Sequence, residues 1–125
     1  MSKTLSLRKL VRETLQTAPG ETYHKIAPKD ASYPYKTYEL TSVTFPNSLR
    51  DDFELTVDIW DRAKDYKAAE EIADQVERTF NDANLPQDDI LPTFFRENRY
   101  SLTDPDKTLQ HIQLRFLVQL YETEE

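Results

Sequence analysis

The chain has no cysteine, one glycine, one methionine and two histidines. Without cysteine, disulfides, thiolate nucleophiles and thiolate-bound metals are excluded, while nothing is decided about redox compartment. A single glycine rules out the phosphate-cradling loops of dinucleotide and nucleoside-triphosphate sites, which need several. His24 and His111 lie far apart, on a connecting segment and a strand, with no local metal-ligand spacing. His111 alternates with Ile112, which reads as a solvated or hydrogen-bonded sheet residue. No serine sits in a nucleophile-elbow setting. No run approaches the roughly twenty apolar residues that span a bilayer. Lys3, Arg8, Lys9 and Arg12 are not followed by a continuous apolar stretch, so the N-terminus does not read as a signal peptide and a cytoplasmic protein is expected.

What is present is charge and aromatic surface. Charged residues make up 31% of the 125 positions and hydrophobic ones 38%, which predicts a compact core under a heavily charged surface. Seven Tyr, six Phe and one Trp are too many for a generic disordered chain. The length fits one domain, residues 1–125. A net charge of −7 argues against nucleic-acid binding, because affinity for a polyanion comes mostly from Lys and Arg neutralising phosphates. The basic residues read as scattered, with no stripe.

Hydrophobic spacing predicts the elements. Leu7, Leu10, Val11 and Leu15 recur with a helical period over about residues 2–17, and Pro19-Gly20 ends the helix. Residues 21–34 show no clean period and read as an extended connection. Tyr35 to Val43 has the composition of a strand, broken by Phe45-Pro46-Asn47-Ser48. Phe53, Leu55, Val57 and Ile59 alternate with Asp52, Glu54, Thr56 and Asp58, as in an antiparallel strand with one buried face. Asp65 is placed to cap a helix reaching about Asn81, with Ala69, Ile72, Ala73, Val76 and Phe80 as its apolar stripe. Residues 84–92 read as a loop, 94–102 as a strand, 103–107 as a turn and 108–121 as the last strand, with a short acidic end after it. The expected fold is α+β: a two-layer sandwich of two helices on a four-stranded, mainly antiparallel sheet, in the order helix-strand-strand-helix-strand-strand.

Three carboxylate pairs, Asp51/Asp52, Asp88/Asp89 and Asp104/Asp106, sit at turns or a strand start, where Asp is expected for turn and capping reasons. They do not build a pair of carboxyls in contrasting environments, as acid–base work needs, and they lack the glycine-centred run of a calcium loop. No catalytic, cofactor-binding or metal site is predicted. The remaining candidates are contact residues. Trp60, Leu117 and Tyr121 fall on the nominally wet sheet face, covered either by a loop or the first helix or by another subunit. Phe45 and Leu49 stand among polar residues in the 44–50 connection. Aromatic anchors suit interfaces because they bury area while keeping a polar handle.

The N-terminal helix, the Tyr33-Pro34-Tyr35 approach to a strand, the segment Phe53-Glu54-Leu55-Thr56-Val57-Asp58-Ile59-Trp60-Asp61, the helix from Ala68 to Phe80 and the long final strand together resemble the tail-completion or tail-terminator proteins of long-tailed bacteriophages and prophages. The resemblance spans nearly the whole chain. It implies a virion protein that caps the head-proximal end of the tail tube and joins tail to head. It also implies a six-fold ring around the DNA channel, contacts with the tail tube protein and the head connector or head-closure protein, assembly in the host cytoplasm, no cofactor and no catalysis. The alternatives are another adaptor of the head–tail junction and a small regulatory α+β binding domain; an enzyme acting through carboxylates is a further rival.

Overall fold

The computed structural model describes residues 3–43, 51–62, 66–81, 83–85, 90–103, 105–106 and 108–122. It contains helices α1 (Lys3–Leu15) and α2 (Lys67–Phe80) and strands β1 (Glu21–His24), β2 (Tyr35–Ser42), β3 (Asp51–Asp61), β4 (Ala83–Asn84), β5 (Ile90–Thr103) and β6 (Gln110–Glu122). The strands form one sheet in the order β1-β2-β3-β6-β5-β4. All neighbours are antiparallel except β1 and β2.

The α+β class, the two helices and the four long strands agree with the sequence pattern. The strand count differs: the sheet has six strands, because short edge strands border each side. β1 has four residues and pairs in parallel with the start of β2, so His24 stands on a strand and not on a connection. Four residues are too few to show a period, and parallel pairing leaves no hairpin signal. β4 has only two residues. β5 begins at Ile90, inside the segment expected to be a loop, and runs through Pro92. Proline has no N–H to give a ladder, but its carbonyl still accepts, here from Leu85 N–H at 3.3 Å beyond the short β4 pairing.

One core cluster joins the helices to one face of the sheet. Phe53, Leu55, Val57 and Ile59 of β3 face Val118, Phe116, Leu114 and Ile112 of β6 in register, and all are buried. α2 seats Phe80 on Phe94 and Phe116, ring centroids 4.9 and 5.5 Å away. Truncating a ring packed in this way costs about 3–5 kcal/mol. α2 begins after Tyr66, which makes no side-chain cap bond; Asp65 lies outside the described residues.

Two polar anchors fix the helices. The turn after α1 takes Gly20 to a φ of +89°, the left-handed region glycine enters freely. Beneath it Lys36, fully buried, donates from Nζ to the carbonyls of Ala18, Pro19 and Gly20 at 3.1, 2.7 and 2.6 Å. Burial pushes the Lys36 ammonium down to about 8, partly opposed by Glu21. On the other helix, a register shift between Arg96 and Asn98 turns Arg99 toward α2. There its guanidinium pairs with Asp74 and Glu77, both at 2.8 Å, and with Glu70. Burial works against the charged guanidinium, but the bonds to Asp74, Glu77 and Glu70 outweigh it and hold its pKa above the ordinary value.

Candidate functional site

The second face of the sheet has no helix on it among the described residues. Strand alternation and register set its rows. Tyr35, Trp60, His111 and Leu102 form one, and Thr37, Asp58, Gln113 and Tyr100 the next. Glu39, Thr56, Arg115 and Asn98 lie across the middle, followed by Thr41, Glu54, Leu117 and Phe95. Asp52, Gln119 and Thr93 come next, and the register pair Tyr121–Leu91 ends the face.

One end is aromatic. Trp60 stacks on His111 with centroids 3.6 Å apart, and Tyr35 lies 6.4 Å away on the other side of the indole. Tyr33 and Tyr23 extend the cluster at 5.2 and 5.9 Å from Tyr35, and Arg62 sits 5.3 Å over the Tyr33 ring. Asp58 Oδ1 accepts from His111 Nε2 at 2.5 Å and from Gln113 Nε2 at 3.0 Å. Burial raises the Tyr35 phenol above its ordinary pKa, with Tyr33 adding to the effect. Lys25, Ile26 and Ala27 line a shallow pocket with Tyr35, Thr37, Asp58 and Trp60. Trp60 is half-buried, with Tyr35 and His111 as its ring neighbours, and Ile26 on the same pocket is 81% exposed.

The other end is apolar. Leu91 and Tyr121 face each other across β5 and β6, as do Phe95 and Leu117. Leu91 and Tyr121 are each 44% exposed, while Phe95 and Leu117 are half-buried. These two cross-strand apolar pairs lie on either side of the Thr93–Gln119 row, so the patch at this end of the face is apolar but crossed by two polar side chains. Glu54 flanks it in the Leu117 row and Asp52 in the Gln119 row. Among the described residues Glu39, Asp52, Glu54 and Asp58 lie along the face, with the guanidinium of Arg115 3.7 Å from Glu54.

Of the five expected contact residues, the structure places Trp60, Leu117 and Tyr121 on this open face, at its two ends. Phe45 and Leu49 lie outside the described residues. Sequence reading missed Leu91 and Phe95, the other half of the apolar patch. Their signal was hidden by Pro92 and by the adjacent Phe94 and Phe95, which leave the facing of the strand undecided until β6 fixes its register.

Among the described residues no catalytic geometry assembles around these side chains. His24 packs against Tyr38 on the helix side, 5.1 Å away, held below its ordinary pKa by burial and then by Arg8 and Lys25. His111 is committed to Asp58 and Trp60. Asp106 pairs with Arg62 at 2.7 Å, and bonds from Thr108 and Arg62 bring its carboxyl down to about 2. Asp88, Asp89 and Asp104 lie outside the described residues. No group of three His, Asp or Glu side chains gathers for a metal among the described residues. Arg8, Lys9 and Arg12, scattered when read along the sequence, come together on the outer flank of α1.

Comparison with known proteins bears on the same span. The family described as "tail completion protein gp17" matches residues 6–120. Among solved structures, a chain from the virion of a native gene transfer agent particle superposes with a TM-score of 0.66. It shares 13% identity, and the match covers 90% of this chain and 84% of that one. At such identity the likeness is one of fold. No curated protein matches.

Proposed function

The chain belongs to the tail completion protein gp17 family, and on that premise we propose that it is a structural protein of a phage-like particle. It caps the head-proximal end of the tail tube and joins the tail to the head. It works as a ring of copies, six-fold in the assembled particle, with DNA passing through its channel and no reaction catalysed. Its neighbours are then further copies of itself, the tail tube protein and the head connector or head-closure protein. Assembly takes place in the host cytoplasm, and the protein stays at the head-proximal end of the tail in the virion.

The observation that carries this reading is the open sheet face. Both helices pack on one side, which we read as a two-layer sandwich, and the other side presents a broad surface with apolar groups at both ends. A protein that acts by fitting against others needs such a surface. A catalyst needs a cleft with converging polar groups. Trp60, Leu117 and Tyr121 are the proposed contacts on this face, and Phe45 and Leu49 in the 44–50 segment are proposed with them. The net charge of −7 suits a channel through which DNA passes without being held.

Deleting the gene from the source genome and examining the particles by electron microscopy tests the function. Tails of abnormal length that fail to join heads are expected. Tails of normal length lacking heads favour the head-closure adaptor, and infectious particles of normal form contradict a role at the junction.

A further inference from the structure

α1 buries Leu7, Leu10, Val11 and Leu15 and turns Leu5, Lys9 and Arg12 outward, with Arg8 at the boundary. Positions 5, 8, 9 and 12 have the three- and four-residue spacing that places side chains on one flank of a helix. Leu5 is 53% exposed, so the flank is an apolar knob among three cations. Arg62, Arg96, Arg99 and Arg115 each have a carboxylate partner. Among the described residues Arg8, Lys9 and Arg12 have none, and Arg8 Nε is buried without an acceptor.

A knob of this kind fits an apolar surface rimmed by carboxylates. The open face of the sheet offers two apolar pairs, Leu91–Tyr121 and Phe95–Leu117, on either side of the Thr93–Gln119 row, with Glu54, which lies 3.7 Å from Arg115, and Asp52 alongside. α1 packs on the core side of the sheet and the patch lies on the opposite side, so one copy cannot bring the two together. We propose that the outer flank of α1 docks on the Leu91–Phe95–Leu117–Tyr121 patch of a second copy of this chain. Leu5 enters the apolar patch, and the three cations meet its acidic rim. The two surfaces are different, so the contact runs head-to-tail, the kind that repeats around a ring and closes when the rotation allows. Charge complementarity also sets the partner: a chain of net charge −7 repels its own copies at most orientations and admits the one that brings its uncompensated cations onto carboxylates. This inference rests on the ring reading above and names its subunit contact.

The absence of cysteine makes the test direct. Particles carrying the double variant Leu5→Cys with Tyr121→Cys are oxidised and run on a non-reducing gel, and the copies per particle are counted by quantitative mass spectrometry. A ladder of disulfide-linked copies is expected from the double variant and none from either single variant. Adding Lys9→Glu is expected to abolish the ladder, and adding Glu54→Lys to that is expected to restore it. Several copies per particle with no ladder overturn the docking while leaving the ring in place. One copy per particle overturns the ring and the docking together. A dimer from Leu5→Cys alone shows a symmetric helix contact and also overturns the proposal. If the double variant does not enter particles, purified Leu5→Cys and Tyr121→Cys chains are mixed and oxidised. Mixed dimers support the contact, and their absence overturns it.

Discussion

Trp60 of β3 lies flat on His111 of β6, with ring centroids 3.6 Å apart and planes 16° from parallel. The two residues are register partners on the central strand pair, and Asp58, one row along, holds the imidazole from the side. An indole on a sheet face with no helix over it among the described residues is thus flanked by two ring neighbours, His111 and Tyr35. It stabilises the fold as well as offering surface. Trp60→Ala is expected to cost roughly 2 kcal/mol, less than a fully buried ring and more than an exposed one. Thermal unfolding of the purified chain measures it, and an unchanged midpoint would mean that the stack contributes nothing.

Gly20→Ala tests the turn after α1. At a φ of +89° an added Cβ would come within 2.8 Å of the Pro34 carbonyl oxygen, a backbone atom that cannot swing away. The left-handed conformation alone costs a non-glycine residue about 1–2 kcal/mol, so a loss of at least about 2 kcal/mol by urea titration is expected.

Lys36 predicts a pH dependence. Its pKa falls from 10.5 in the unfolded chain to about 8 in the folded one. Between pH 8 and 10 the unfolded chain therefore binds the additional proton, and stability rises with pH by about 2 kcal/mol. That contribution is lost again as pH falls through 8. Burial raises Tyr38 and Tyr35 above the ordinary phenol range, which acts in the opposite sense above pH 10 and closes the window. Lys36→Met is expected to flatten the slope between pH 8 and 10. It also removes the donor from three carbonyls, at a cost of about 1–3 kcal/mol at neutral pH. Chemical denaturation across the window separates the two effects.

Arg99→Met keeps the stem of the side chain and removes its bonds to Glu70, Asp74 and Glu77. A half-shielded guanidinium shared by three carboxylates is worth more than an exposed pair, on the order of 2 kcal/mol. The difference between wild type and variant is expected to shrink in 1 M salt, which screens exposed pairs within about 3 Å. A difference independent of salt would assign the effect to packing.

Much of this fold can be read from side-chain period. Phe53 to Ile59 and Ile112 to Leu120 alternate without a break because each strand has one face on the core and one open, and the same alternation put Trp60, Leu117 and Tyr121 on the open face. The stripe from Ala69 to Phe80 is equally regular. What stayed hidden depends on pairing between distant segments. β1 exists because Glu21–His24 finds β2, not because of its own four residues. Pro92 marks a loop locally but sits in a strand whose outer neighbour is two residues long. The apolar patch needed the β5–β6 register, which shifts between Arg96 and Asn98, before Leu91 and Phe95 could be set beside Tyr121 and Leu117. The basic flank of α1 needed its burial, because along the chain its cations look like any others.

The measurement that bears most directly on the central claim is electron cryo-microscopy of the intact particle, with an epitope tag on this chain. A ring of copies carrying the tag is expected between the last layer of the tail tube and the head connector. Particles complete in head and tail but without the chain would contradict a structural role at that junction.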